Sequence, residues 1–452
     1  MLPRAAPPPR VPGGHALAPP ATARQGREAA SYDYVDEFFM GTDNIPTTPP
    51  KPGTLRVVVP DIDDLLPVYV FDRYEGYTVK TIPDCTEAEI ENHITKTAEG
   101  IKRVLAQGCD RVLSNHALLS PVNTKRACEE YGVPFDIKIH GSGITFVLKP
   151  YPQYKKYTIE AIEACEKVVC GTQYIVDYMK ETFQDEYDEL NLADKMVIVP
   201  PGMDPDVFDL AESHEANQER FRAKVAAFIE ASGSKGRNAS QITLPAAGTG
   251  DMHAALTAVG DTYDQRSVDA DLLERFPTIQ PNEPVIVYFG KFLNTKGVGE
   301  VITIFPQVLQ EVPNARLLLV GFGGFREHIE GMLSAMAAND VDAFIAYGKA
   351  GPADGAPFLD PSEDELRAMF RPLTADQRAR ITATGILKHE QLGELLPLAS
   401  LCVVGSKAAE AFGMVTVEAM SAGVLPLSND HSGLSDVLRA VEAARPDLCD
   451  VM

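Results

Sequence analysis

At 452 residues, with 45% hydrophobic and 23% charged side chains, the chain has the composition of a soluble globular protein long enough for two cores. Its formal net charge of −23 argues against a nucleic-acid binder, since phosphate backbones demand clustered Lys and Arg. The same charge weakens broad attachment to anionic membranes, while a local basic patch and peripheral membrane contact stay open.

The 7 cysteines are scattered and include no C-x-x-C pair, so neither a zinc site nor a redox motif is expected. Most sit in apolar runs as buried thiols, which fits a reducing, cytoplasmic setting. No apolar run reaches the length of a transmembrane helix. Prolines stand where a signal peptide needs its apolar stretch.

Residues 1–53 read as irregular, because prolines this dense forbid a helix or a central strand. Gly13-Gly14-His15 stands out within them. A first domain is expected over 54–205. Its strands are Leu55–Val59, Val68–Phe71, Arg111–Ser114, Asp136–Ile139, Lys167–Cys170 and Met196–Val199. Helical patterns near 87–107, 121–131, 152–165 and 173–184 separate them, and strands alternating with helices imply a parallel sheet. Residues 206–283 are polar and helical, with a Gly/Ser/Ala-rich interruption over 231–250, and read as a linker or insertion.

Alternation restarts in a second domain, 284–452. Strands are expected at 285–289, 317–320, 343–347, 384–387, 399–404 and 424–427, with a Pro/Asp/Glu-rich insertion at 349–377. The expected fold class is therefore α/β, with two Rossmann-like, doubly wound parallel-sheet domains whose strand carboxyl ends face a central cleft.

In the second domain the loops at those carboxyl ends carry chemistry. Lys291 and Lys296 lie five residues apart after the first strand, flanked by Gly290 and Gly297, and suit a diphosphate. Gly321-x-Gly323-Gly324 opens a helix as a phosphate loop would, but Arg326 stands in the third glycine's place of a dinucleotide motif. Ser234-Lys235-Gly236 is no P-loop, and His389-Glu390 lacks a second histidine where Gly393 stands, so no metal site emerges. Glu410 lies in a loop and Glu418 in the first turns of the helix that follows. One suits a sugar hydroxyl and the other a ribose diol, while amides around Gly413 to Val415 suit developing negative charge. The eight-residue spacing is unspecific, since Glu91 and Glu99 share it. Lysines for phosphates with one carboxylate per sugar ring describe a nucleotide diphosphate sugar.

Gly290-Lys291-x4-Lys296-Gly297, the Leu-Leu-Leu-Val-Gly run, and Glu410-Ala-Phe-Gly-Met-Val-x2-Glu418-Ala-Met-x-Ala-Gly resemble family 4 of the retaining glycosyltransferases of GT-B fold. The resemblance covers roughly 111–205 and 285–440. It implies that Glu418 binds the ribose and Glu410 the donor sugar. Lys291 and Lys296 would neutralise the departing diphosphate. Phe412, Gly413, Met414 and Val415 would contact sugar and phosphate, and the base would lie against the stretch from Gly385 to Leu387. His140 would stand beside the donor sugar, and Gly13-Gly14 would form the glycine-rich loop over the phosphates.

The implied activity is hexosyl transfer from a nucleotide sugar to a carbohydrate, lipid-linked or small-molecule acceptor, with retained configuration and neither metal nor cofactor. Two departures accompany the resemblance. The first strand and helix expected around the glycine-rich loop read as proline-rich or polar filler, and the second domain reads as abbreviated after Asp436. A nucleotide-sugar-binding protein without turnover, or a sugar-nucleotide epimerase, are the alternatives.

Overall fold

The computed structural model describes residues 35–446 apart from 71–73, 75, 204–206, 209–212 and 354. The expected Gly13-Gly14 loop lies outside the described residues. The chain divides into two compact units between Pro200 and Pro201.

In the first unit β1 (Glu37–Met40) pairs in parallel with β2 (Arg56–Val59), and β3 (Leu65–Val68) with β4 (Thr78–Thr81). A four-stranded parallel sheet follows in the order β5 (Val112–Asn115), β6 (Phe135–Ile139), β7 (Val168–Cys170) and β8 (Met196–Ile198). The helix Glu87–Leu105 starts at a capping box, in which Thr86 and Glu89 bond each other's backbone amides. Helices Ser120–Tyr131, Lys155–Ala164 and Gln173–Thr182 connect the strands of the larger sheet.

Two expectations are corrected here. Residues 1–53 are not wholly irregular, because Glu37–Met40 forms β1; its short Phe38-Phe39 pair shows no alternation, and pairing with β2 fixes it, aided by an Arg56–Glu37 ion pair of 2.6 Å. The strand expected at 68–71 lies earlier, at Leu65–Val68. Pro67 argues against a central strand, but an edge position tolerates it.

The second unit holds a five-stranded sheet in the order β11-β10-β9-β12-β13, all neighbours parallel. Its strands are β9 (Val285–Phe289), β10 (Arg316–Val320), β11 (Ile381–Gly385), β12 (Leu401–Val404) and β13 (Leu425–Ser428). The chain runs outward from β9 through β10 to β11, then returns to start β12 on the other side of β9. That reversal makes the carboxyl ends of β9 and β12 the switch point, where ligands bind in sheets of this kind.

Strand alternation splits the apolar run of β10 between two cores. Leu317 and Leu319 pack with Phe305, Met332 and Phe344, whereas Leu318 and Val320 pack with Phe221, Leu272 and Leu395. The 206–283 stretch is helical as expected, with helices at His214–Ala231 and Met252–Gly260. Its Phe221, Val225, Leu272 and Phe276 complete the second of these cores, so it is an integral layer of the unit.

The strand expected at 343–347 is instead part of the helix Val341–Lys349, capped by the Asp340 side chain accepting from the Ala343 amide. Its apolar run is too short to separate a buried strand from a buried helix by pattern alone.

Candidate active site

Glycines let the loops at the switch point nest. A Cβ on Gly321 (φ 152°) would lie 1.9 Å from the Gly290 carbonyl oxygen, and one on Gly297 (φ 74°) 2.1 Å from that of Gly405. The loops after β9, β10 and β12 thus touch backbone to backbone. The Phe292 amide donates to the Phe322 carbonyl at 2.7 Å, and the Lys291 ammonium sits 5.9 Å from the centre of the Phe322 ring.

Because the loop after β9 is pressed against Gly405, Lys296 reaches the loop after β12. Its Nζ forms an ion pair with the Glu410 carboxylate. The same carboxylate oxygen accepts from Ser406 Oγ at 2.6 Å. The Glu410 backbone is held too, its amide donating to Ser432 Oγ at 2.9 Å and its carbonyl accepting from the Gly433 amide at 2.9 Å. His431 completes the lacing, with Nδ1 2.9 Å from Ser432 Oγ and Nε2 2.7 Å from the Ser406 carbonyl. The two residues expected to hold different parts of one ligand therefore neutralise each other, inside a loop anchored from β13.

Gly413 (φ 97°) precedes the helix Met414–Ser421 and leaves its N-terminus without a side-chain cap. Amides at such an end, with the aligned peptide dipoles behind them, favour an anion. Phe412, Met414 and Val415 are half-buried around this turn. A Cβ at Gly413 would lie 2.4 Å from Leu434 Cδ2, so the helix start is seated tightly on its neighbour. One turn further on, Glu418 is buried, and its Oε1 lies 3.2 Å from Nε2 of the exposed His389.

The expected base-binding stretch is packed more closely. Gly385 (φ 76°) forms an antiparallel bridge with Val268, and a Cβ there would lie 2.7 Å from both the Ser267 carbonyl oxygen and the Asp269 amide. Leu387 is buried in the core beside Leu392 and Phe221. Beneath the bridge is a network of buried charges. Arg326 donates to Asp269 at 2.7 and 3.2 Å, Arg237 to Glu327 at 2.8 and 3.0 Å, and the Tyr263 hydroxyl to Glu327 at 2.7 Å. Burial alone would raise the Glu330 carboxyl, yet the guanidinium groups of Arg326, Arg237 and Arg378 outweigh it and hold it at about 2. Arg326, which breaks the dinucleotide glycine pattern, has this ionic role instead.

In the first unit His140 follows β6. Its Nε2 lies 2.9 Å from Asn115 Oδ1, and its ring centroid is 4.8 Å from that of His116. Burial first, then the neighbouring His116 and Lys138, lower its pKa to about 4, so it is neutral at physiological pH. A single π-helical turn, Ile144–Leu148, follows at once.

The structure thus gathers Lys291, Lys296, Glu410 and the Phe412–Val415 turn with Glu418 on the second unit, and places His140 on the first. Sequence reasoning missed Ser406, His431 and Ser432, which hold Glu410, and set His389 aside as half of a zinc motif. The His431-Ser432-Gly433 run after β13 is the one signal that could have found two of them. Among the described residues no group of three or more His, Cys, Asp and Glu could hold a metal ion, and no helix is long and apolar enough to cross a membrane.

One family model matches within the second unit. Residues 359–444 match the model of the family described as Glycosyl transferases group 1. That segment contains Glu410, Gly413, Glu418 and the helix Ser432–Ala444. No curated protein matches the chain. Among solved structures, it is similar to sucrose-phosphate synthase from Thermosynechococcus elongatus at 14% identity and a TM-score of 0.42, covering 91% of each chain. It is also similar to a glycosyltransferase from Rickettsia africae at 13% identity and TM-score 0.44, covering 91% of this chain and 82% of that one. A third is Anabaena HepE in complex with UDP and glucose, at 14% identity and TM-score 0.39, covering 80% and 69% respectively.

Proposed function

We propose that the chain is a retaining glycosyltransferase, of the family 4 type, moving a hexose-type sugar from a nucleotide diphosphate sugar to a hydroxyl acceptor. The observation that carries this reading is the Lys296–Glu410 pair at the β9/β12 switch point. It joins a cation to a carboxylate that precedes an uncapped helix N-terminus, and the carboxylate's loop lies within the residues matched by the group 1 family model.

Each group has a chemical task on this reading. Lys291, Lys296 and the amides after Gly413 stabilise the diphosphate as the bond from sugar C1 to the phosphate oxygen breaks. Glu410 accepts hydrogen bonds from donor-sugar hydroxyls, and Glu418, steadied by His389, accepts from the ribose diol. The acceptor oxygen bonds to C1 on the face the diphosphate leaves, and its proton passes to the departing phosphate oxygen. The two lysines supply the positive charge that other transferases take from a metal, so we propose a metal-independent reaction. A cytoplasmic location is part of this proposal, on the ground that the free cysteines among the described residues are mostly buried and form no paired motif.

The test is transfer from a panel of nucleotide diphosphate sugars to mixed acceptors, with Glu410→Gln as control. The variant is expected to lose transfer by about 100-fold or more while keeping its fold, since a transition-state contact of this kind is worth about 3 kcal/mol. Unchanged transfer by Glu410→Gln rules out the role assigned to that carboxylate. Binding of a nucleotide sugar without turnover on any acceptor favours a non-catalytic binding protein.

A further inference from the structure

We propose that Asn115 and His116 are positioning residues for His140, fixing it as a neutral imidazole that carries its proton on Nε2 and leaves Nδ1 to accept from a sugar hydroxyl. The identity of that hydroxyl rests on the transferase reading; the tautomer does not.

The backbone sets up the arrangement. β5 and β6 run parallel in register, with Asn115 opposite Lys138. The His116 amide extends the ladder by donating to the Lys138 carbonyl at 2.8 Å, so the residues that follow the two strands lie side by side. His116 and Leu119 both adopt the left-handed region, at φ 71° and 60°. Side chains tolerate such a turn only where its surroundings enforce it. Here the Tyr69 hydroxyl donates to the Leu118 carbonyl at 2.8 Å, Thr158 Oγ1 donates to the Ala117 carbonyl at 2.7 Å, and the hydroxyls of Ser114 and Ser120 lie 3.1 Å apart. The turn is held on three sides, and it delivers the His116 ring between Tyr69 (5.4 Å) and His140 (4.8 Å).

Chemistry then fixes the proton. With the Asn115 amide turned so that its Oδ1, an acceptor, faces His140 Nε2 at 2.9 Å, the donor role on this contact is assigned to Nε2. A neutral imidazole has one proton, which leaves Nδ1 with its lone pair. Adding a second proton is opposed from each neighbouring element. Burial opposes the charge first, the Lys138 ammonium repels it, and the Tyr69 phenol is held in its neutral form by burial. Nδ1 of His116 is buried without a hydrogen-bond partner among the described residues, which disfavours a cation on that ring as well. His140 thereby remains a hydrogen-bond acceptor near neutral pH, where an ordinary histidine begins to take up a proton.

The experiment is long-range proton–nitrogen NMR on the full chain labelled with [15N]histidine, with the His140 signals assigned through His140→Gln. The wild type is expected to show the Nε2–H tautomer, titrating near pH 4. Asn115→Asp places a carboxylate on the same nitrogen and should raise the titration by roughly one to three units. Asn115→Ser, a milder change, should leave the fold intact and release the tautomer to a mixture. A dominant Nδ1–H form in the wild type, titration near the ordinary 6.5, or insensitivity to both substitutions overturns the proposal. Absence of sugar transfer with the expected tautomer counts against the transferase reading alone. Transfer by a chain whose His140 titrates normally counts against the positioning alone.

Discussion

Lys296 and Glu410 show how one backbone contact decides a site. Their side chains meet because Gly297 has no Cβ to collide with the Gly405 carbonyl. Gly297→Ala is therefore expected to separate the two loops. Its cost combines a left-handed alanine with a steric clash, about 2 kcal/mol or more. The melting temperature should fall by about 4–8 °C for a unit of this size, and transfer should fall with it. Lys296→Met is expected to act differently, weakening nucleoside diphosphate binding while leaving the melting temperature within a few degrees, because this half-exposed pair contributes little to stability. Calorimetry with the diphosphate alone separates the two outcomes.

At the scale of elements, the 206–283 layer is the least expected part of the second unit. Its Val268–Asp269 segment bridges β11, and its charges are neutralised by residues on the helix Arg326–Ala337. Removing one member of a buried pair leaves an uncompensated charge, so Asp269→Asn is expected to destabilise by roughly 3–5 kcal/mol. The urea midpoint of Asp269→Asn against that of the wild type tests this. Such a network was illegible in the sequence, because Arg237, Asp269 and Glu327 are far apart in the chain and look like ordinary surface charges. The core strands were legible for the opposite reason. Val285–Phe289, Leu317–Val320 and Leu401–Val404 are apolar runs bounded by turn residues, and their burial on both faces imposes that pattern. Glu410 and Glu418 were legible only through the glycine and lysine motifs around them. His389 and Ser406 carry no motif of their own.

For the whole molecule, acid stability follows from a buried histidine pair. His253 Nδ1 lies 3.2 Å from Nε2 of His328, which is fully buried beside Phe325 and Phe358. Burial, and then His253, lower the pKa of His328 to about 3. The folded state binds its proton less readily than the unfolded chain, so stability is complete above about pH 6.5 and declines as the pH falls toward 3. Between about pH 6.5 and 5 the loss should reach about 2 kcal/mol, read as a lower urea midpoint. His328→Phe should make that slope shallower, leaving the part contributed by His140. At neutral pH a saturating nucleoside diphosphate is expected to raise the melting temperature by about 5 °C or more, as ligand at about 100 times its Kd adds about 2.7 kcal/mol.

The ion pair at the switch point also bears on turnover. Glu410 pairs with the ammonium that a diphosphate would claim. On the donor-site reading, a departing diphosphate leaves no bare cation behind, because the carboxylate recaptures the lysine as the phosphate lets go. The loop carries its own leaving-ligand competitor, and product escape is eased at the same atom that held the product. Diphosphate release in stopped-flow displacement is then expected to be slower in the Glu410→Gln variant, which has no carboxylate to return, than in the wild type.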